Sequence, residues 1–594
     1  MIKNDIYEIT IDDIGNDGEG IGHVLDRQNG HSFAVFVKDT VIGDQARIRI
    51  VKAKKTYAYG RLEELILPSH YRTEAVCDKA RRCGGCSLMH MSYEKQLEYK
   101  WNKVKSCLER IGGISNAETI MEPVCGMDAP YFYRNKMQLP VGRDKDGNIV
   151  IGFYAGRTHA IINLEKCYIG HEVNDYIIRH VRNWLENVDG RTEIVYNEEN
   201  HTGLVRHIMT RVGFATGELM VCLVINADRM PKEYEESFVD AVCAAVKEYN
   251  GMQSGQVESA GKGIDCDEVT EGDAQGKQVD SASKEMIDCG EVTECDMQGK
   301  QVEPASKGID CDEVAERDTK GKWVDSAGKG IDCDEVTEGG TQGKQVDSAS
   351  KGMIDCDEAT ERDMSGKQIR LASICINVNK EKTNKILGDK CVTLYGRDYI
   401  EDYIGDILFR ISPLSFYQVN PVQTKAIYDK AIEYAGLKGD ETVWDMYCGI
   451  GTISLSLANK AKKVYGVEII PAAICDAKEN ARINHINNVE FFCGKAETVV
   501  PEFYQRAGGS DGKHPDVIVV DPPRKGCDAV LLDTIVSMAP DRLVYVSCDP
   551  ATLARDVKVL SEKGYGLRKA AVFDAFCQSG HVEAVCLLSQ KVPA

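Results

Sequence analysis

Apolar and polar positions alternate through the first 62 residues, with Ile6, Ile9 and Ile11, then Phe33, Val35 and Val37, then Ala46, Ile48 and Ile50 as the apolar members. This patterning, broken by Gly15, Gly18, Gly20, Gly22, Gly30 and Gly43, predicts short strands and tight turns closing into a small β-barrel. The strand expected over 45–51 runs into Lys52, Lys54 and Lys55, with Tyr57, Tyr59 and Arg61 beyond it. Cations interleaved with rings suit a surface that tracks an RNA backbone and stacks its bases. They suit a guarded strand edge equally well.

Beyond residue 72 the pattern changes. A helix is expected over 93–111, with lysines and arginines on its polar face, then strands, a helix near 174–188, a strand over 219–225 and an amphipathic helix over 234–249. This is an α+β pattern, and it resumes after Arg370 with a strand over 374–378 and further β structure through Ile411. From there strands over 442–444, 463–467, 516–520, 542–546 and 584–588 alternate with helices, beginning with one over 424–435. Such alternation predicts a doubly wound, Rossmann-like α/β sheet. The chain is therefore read as a multi-domain α/β protein. It has a barrel at 1–62, a central α+β domain at 72–250 completed by 371–411, an insert at 251–370 and a Rossmann-like domain at 412–594.

In the insert Cys266, Cys289, Cys311, Cys333 and Cys356 recur in near-identical contexts such as GIDCDEVTEG, and Trp323 is its only aromatic residue. Too little apolar surface is on offer for a stacked solenoid, so a disordered linker is expected. One thiol per repeat also lacks ligand spacing. The insert changes how the charge is read. The whole chain carries −21, but 29 acidic and 14 basic residues of that total lie in the insert, so the remainder is close to neutral and an anionic partner is not excluded. No apolar run reaches the ~18 residues of a membrane span, and no signal segment opens the chain, which points to the cytoplasm. There clustered cysteines are ligands or nucleophiles more often than disulfides.

Five motifs carry chemistry. In TVWDMYCGIGTISLSLA (442–458) a strand ends at Asp445 and turns through Gly449 and Gly451 into a helix, and Glu468 ends the next strand. The position where a dinucleotide fold has its third glycine is Ser454, which favours a cofactor without a pyrophosphate, such as S-adenosylmethionine. In VIVVDPPRKGCD (517–528) Asp521 ends a strand, two prolines stiffen the loop, and Arg524 and Lys525 suit an anionic substrate. In LVYVSCDPATLARD (543–556) Cys548 sits between a strand end and a helix capped by Asp549 or Thr552, a position expected to lower a thiol pKa. In FCQSGHVEAVCLL (576–588) His581 and Glu583 are expected to open the last strand on one face. CDKARRCGGC brings Cys77, Cys83 and Cys86 together, with Cys167 as a distant fourth, in a pattern that serves either zinc or an iron–sulfur cluster.

With IYEITIDDIGNDGEGIG, FYQVNPVQT and the motifs above, the chain resembles the RNA uracil-5-methyltransferases that carry an N-terminal TRAM domain and a 4Fe-4S cluster. The likeness covers everything but the insert. It implies that Gln418, Tyr447, Glu468 and Asp521 bind S-adenosylmethionine, that Cys548 is the nucleophile and Glu583 the general base, and that Cys77, Cys83, Cys86 and Cys167 hold the cluster. It further implies a cytoplasmic monomer acting on RNA, 23S ribosomal RNA first and transfer RNA as the alternative. Tyr131, Tyr133, Arg134 and Lys136 are candidate RNA contacts. A DNA cytosine-5-methyltransferase would place proline before its cysteine, where Ser547 stands, and an amino-directed methylase would follow Asp-Pro-Pro with an aromatic residue, where Arg524 stands. A non-catalytic RNA-binding or ribosome-assembly factor would have no need of Cys548 and Glu583.

Overall fold

The computed structural model describes residues 2–25, 32–156, 158–188, 194–260, 316–317, 323–324, 368–506 and 514–591, with backbone alone at 254–260, 316–317, 323–324 and 505–506. Strands β1 (Ile6–Ile14), β2 (Gly20–Leu25), β3 (Ser32–Val37), β4 (Gln45–Ala53) and β5 (Tyr57–Leu67) close into a barrel in the order β1-β2-β3-β5-β4. The alternation seen in the sequence sends Ile9, Ile11, Val35, Val37, Ile48, Ile50 and Ala58 inward. Gly22 is required by close approach, because a Cβ there would lie 2.6 Å from the Thr10 carbonyl oxygen. On the outside Phe36, Tyr57 and Tyr59 pack ring against ring, and Lys52 lies opposite Tyr59 across the β4–β5 pair.

After the barrel come α1 (Tyr93–Arg110), β6 (Lys136–Arg143), β7 (Ile149–Tyr154), β8 (Ile161–Asn163), α2 (Val173–Val188), β9 (Val205–Val212), β10 (Glu218–Ile225) and α3 (Lys232–Ala260). The last helix runs eleven residues past the expected end at Tyr249. The chain divides into two units, Met1–Lys262 with Asp363–Ala594, and Gly263–Arg362. In the second a short ribbon pairs β11 (Glu316–Arg317) with β12 (Trp323–Val324). The rest of the acidic repeats, and the disorder expected of them, lie outside the described residues.

Beyond the insert, β13 (Arg370–Val378) returns to pair parallel with β10, and β14 (Lys390–Gly396) follows it, completing a seven-stranded sheet ordered β14-β13-β10-β9-β6-β7-β8. The two flanks of the insert are fastened together. Asn250 Nδ2 donates to the Ile369 carbonyl at 2.8 Å, and the Ile369 amide donates to Asn250 Oδ1 at 2.9 Å. Because both flanks are fixed at one point, a long connection there costs the fold little, since loop-closure entropy grows only with the logarithm of length.

A hairpin, β15 (Ile400–Ile404) and β16 (Ile407–Ile411), leads to α4 (Pro421–Ala435), β17 (Thr442–Asp445), α5 (Thr452–Ala458), β18 (Lys463–Glu468), α6 (Pro471–Ile483), β19 (Val489–Cys493) and α7 (Ala496–Arg506). Then follow β20 (Val517–Val520), α8 (Ala529–Met538), β21 (Arg542–Ser547), α9 (Pro550–Glu562), β22 (Tyr565–Phe573) and β23 (Glu583–Gln590). The sheet order is β19-β18-β17-β20-β21-β23-β22, parallel except around β23. Near-continuous apolar runs such as Val517–Val520 are fully buried, as central parallel strands require.

The stretch that includes α1 departs from the expected division of domains. Val104, Leu108 and Ala117 belong to the core of the C-terminal sheet, and Met121 and Cys125 bridge in parallel to Ala570 and Phe573 on its edge strand β22. Covering an exposed edge satisfies its backbone groups, so this segment is physically part of the C-terminal layer. No helix among the described residues is long and apolar enough to cross a membrane.

Candidate active site

The carboxyl ends of β17, β18, β20 and β21 form one edge, where open α/β sheets bind their ligands. Asp445, fully buried, ends β17 and accepts a 2.6 Å bond from the Ser454 hydroxyl, while its Oδ1 has no partner. The turn after it needs glycine at Gly451, where φ is +86° and a Cβ would stand 3.1 Å from the Phe491 ring. Gly449 donates its amide to Glu468 Oε2 at 3.2 Å, so the carboxylate of β18 is tied to this turn. Tyr447 is half-buried against the core shared by α8 and β20. Gln418, also half-buried, lies on the loop before α4, which Asn135 holds from the central sheet. The Asn135 amide donates to Val419 O at 2.9 Å and its side chain to Gln418 O at 2.9 Å. On the same loop Tyr417 is buried while Phe416 is 70% exposed, an outward aromatic that the sequence pattern did not single out.

Cys548 follows β21 directly. The antiparallel register pairs Ser547 with Ala584, so its continuation by one residue sets Cys548 across from Glu583 at the start of β23. Glu583 is 4% exposed and its Oε2 has no partner. Burial and the neighbouring Asp521 hold its carboxyl well above the usual range, while Arg524 opposes them. Burial and Asp445 push Asp521 up to about 7, and burial raises Asp445 to about 6.

Two expectations are corrected here. The Cys548 thiol is not lowered. Burial, then Glu583 and Asp521, push it up to about 11, with Arg524 pulling the other way. The helix end that was to lower it is already satisfied, because Asp549 Oδ1 accepts the amides of Ala551 and Thr552 at 3.0 Å each. A cap that neutralises the helix N-terminus leaves little field for a neighbouring thiol. Second, His581 does not open the last strand beside Glu583. β23 starts at Glu583, and His581 is exposed in the segment before it.

α9 holds the loop of Arg524. Thr552 Oγ1 donates to Arg524 O at 3.0 Å and Arg555 Nη2 to Lys525 O at 3.0 Å. The fully buried Asp556 accepts the Cys527 amide at 2.9 Å and the Tyr545 hydroxyl at 2.6 Å. The loop that carries Arg524 is therefore held by the helix that begins two residues after Cys548.

The four N-terminal thiols come together elsewhere. Cys77, Cys83, Cys86 and Cys167 line one cavity with Ala80, Met89, Phe153, Leu164 and Ile169. Gly84 donates to Tyr154 O at 2.9 Å, where a Cβ would be 2.7 Å from that oxygen, and the Gly85 amide points at Cys83 Sγ at 3.4 Å. No group of three or more His, Cys, Asp or Glu among the described residues is gathered as a single-ion site. Of the proposed RNA contacts, Tyr133 is buried and donates to the Cys577 carbonyl at 3.0 Å, so it cannot stack on a base. Tyr131, Arg134 and Lys136 are half-buried.

A carboxylate-rich edge at the carboxyl ends of an α/β sheet, with a thiol in register with a carboxylate, is an arrangement suited to group transfer. Residues 380–591 match the family model described as tRNA (Uracil-5-)-methyltransferase, and residues 3–62 match the TRAM domain. Proteins described as uncharacterized RNA methyltransferases from Clostridium tetani and Bacillus cereus are each 38% identical to the chain, over 99% of it and 97% of their own length. The crystal structure of Pyrococcus abyssi tRNA (uracil-54, C5)-methyltransferase in complex with S-adenosyl-L-homocysteine shares the fold at a TM-score of 0.60. It is 21% identical, covering 98% of this chain and 99% of that one. The chain belongs to the RNA methyltransferase family of these relatives, with a C-terminal part of the uracil-5 type.

Proposed function

We propose that this protein methylates carbon 5 of uracil in RNA through a covalent bond between Cys548 and carbon 6. The observation that supports it most is the register that sets Cys548 opposite Glu583, with Asp521 and Arg524 acting electrostatically on both. Carbon 5 of uracil is a weak nucleophile, and thiolate addition divides one hard step into easier ones. The Cys548 sulfur bonds to carbon 6, and the ring π electrons move to an enolate over carbon 5 and the 4-oxygen. S-Adenosylmethionine, when bound, supplies an electrophilic methyl group, which carbon 5 takes. Glu583 then accepts the carbon 5 proton, the freed electron pair restores the ring double bond, and Cys548 leaves as thiolate.

In this reading Gln418, Tyr447, Glu468 and Asp521 hold the donor, with Glu468 suited to ribose hydroxyls beside the Gly449 amide. A sulfonium near Asp521 adds the positive charge that the raised acids and thiol call for. The target uridine leaves its stack at a cost of a few kcal/mol, and the exposed ring of Phe416 beside Gln418 offers it a face.

Cys77, Cys83, Cys86 and Cys167 are proposed to hold a 4Fe-4S cluster. Four thiols lining one cavity supply the number of thiolates that such a cluster takes. The protein is proposed to work as a cytoplasmic monomer on 23S ribosomal RNA, with transfer RNA as the alternative. The test is transfer of a labelled methyl group to total RNA by the purified chain. Label in 5-methyluridine of 23S RNA is expected, label in transfer RNA would change the substrate, and no label would contradict the reading.

A further inference from the structure

The segment that delivers Glu583 to its strand, residues 574–580, is gripped by the part of the chain that follows the thiol cluster. Asp574 and Lys100 are both fully buried and form an ion pair, and the Lys100 ammonium also donates to Phe576 O at 3.0 Å. Gln578 is 1% exposed and adopts a φ of +66°, a conformation that only firm surroundings hold in place. Its carbonyl accepts the amides of Ser87 at 2.9 Å and Leu88 at 3.0 Å. Its side-chain oxygen accepts Gln96 Nε2 at 3.0 Å, and the same nitrogen donates to Leu88 O at 3.1 Å and Met91 O at 2.9 Å. Ser87 Oγ in turn accepts the Gly580 amide at 3.2 Å.

Ser87 and Leu88 follow Cys86 directly, so the cluster loop and the approach to Glu583 are one hydrogen-bonded unit. None of these bonds involves Cys548, which is carried by β21 and α9. These bonds act directly on the approach to Glu583, while α1 reaches α9 through apolar packing, Val104 and Leu108 sharing a core with Leu553 and Val557.

We propose that Gln96, acting through Gln578 and the Ser87–Leu88 peptide, is a positioning residue for Glu583, and that the thiol-lined loop serves the elimination step by anchoring this unit. The proposal rests on the reading of Glu583 as the base. Elimination breaks the C5–H bond, delivers that proton to Glu583, returns the electron pair to the C5–C6 double bond and expels the Cys548 thiolate. A displaced carboxylate slows this step and leaves addition and methyl transfer intact, so methylated RNA remains bonded to the protein.

The experiment uses the full chain and a transcribed RNA substrate in single turnover, following adduct on denaturing gels. Gln96→Leu is expected to form adduct within about twofold of the wild-type rate and to release it at least tenfold more slowly. Ser87→Ala, a milder change, is expected to slow release about threefold. Hydrogen exchange of residues 574–580 should quicken in both variants. Formation and release falling together, or unchanged release with quickened exchange, would overturn the proposal. Glu583→Gln is the reference. If it accumulates adduct and neither variant does, the positioning role fails alone, and if it accumulates none, the base assignment fails and takes this proposal with it.

Discussion

Cysteine stands in two contrasting settings in this protein. Cys548 lies half-buried at a sheet edge among Asp521, Glu583 and Arg524, on a strand end fixed by backbone register. Cys77, Cys83, Cys86 and Cys167 surround a cavity whose other walls are mainly apolar, on loops that bend through Gly84 and Gly85. The first setting puts a single sulfur beside groups that exchange protons and charge. The second gathers four sulfurs around one cavity, with Cys83 and Cys167 buried and Cys77 and Cys86 half-buried, which suits a shared ligand shell. Residue type is the same in both, and the surroundings decide what the sulfur can do.

The sharpest way to break this contrast is to remove a sulfur from each setting. Cys548→Ala is expected to abolish the RNA–protein adduct and to lower methyl transfer by about 10⁴-fold or more, as loss of a covalent nucleophile does. Near-normal transfer would mean that the edge does not work through this atom. Cys83→Ser is expected to turn a brown protein holding about four irons per chain into a colourless one with a lower melting temperature. A colourless wild type containing zinc would overturn the cluster.

A smaller effect follows from the raised acids. Asp521 at about 7 and Asp445 at about 6 stand above an unfolded value of about 3.8, so the folded state binds their protons more tightly. Their contribution to stability is full below about pH 4 and is lost as pH rises through 6 and 7. A cationic donor favours the deprotonated acids, so the rise in melting temperature on adding S-adenosylmethionine should grow from pH 5 to pH 8. A pH-independent rise would place the donor away from these carboxylates.

The smallest expected effect is none. Replacing residues 261–362 with a short flexible link should leave methylation unchanged, because Asn250 and Ile369 already fasten the two flanks. A large loss would give the acidic repeats a role in catalysis.

Much of this was legible in the sequence, for stated physical reasons. Alternation marked the barrel strands, and apolar runs ending in Asp445, Asp521 and Cys548 marked the ends of buried parallel strands. What it hid depends on distant partners. Asp549 reads as a helix cap from sequence, but only the structure shows that capping uses up the amides expected to lower the Cys548 pKa. Tyr133 looks like a stacking residue until its hydroxyl is found on the Cys577 carbonyl. α1 looks like part of the central domain because it follows the cysteine cluster, yet Val104 and Leu108 bury against the C-terminal sheet. The Lys100–Asp574 pair joins positions 474 apart, and no local pattern announces such a bond.

The central claim is a sulfur–carbon bond at Cys548, and the most direct test is mass spectrometry of the Glu583→Gln variant after reaction with RNA and S-adenosylmethionine. Following nuclease and protease digestion, a peptide containing Cys548 that carries a methylated uridine nucleotide is expected. Methylated RNA in solution, with the Cys548 peptide unmodified at every time point, would contradict it.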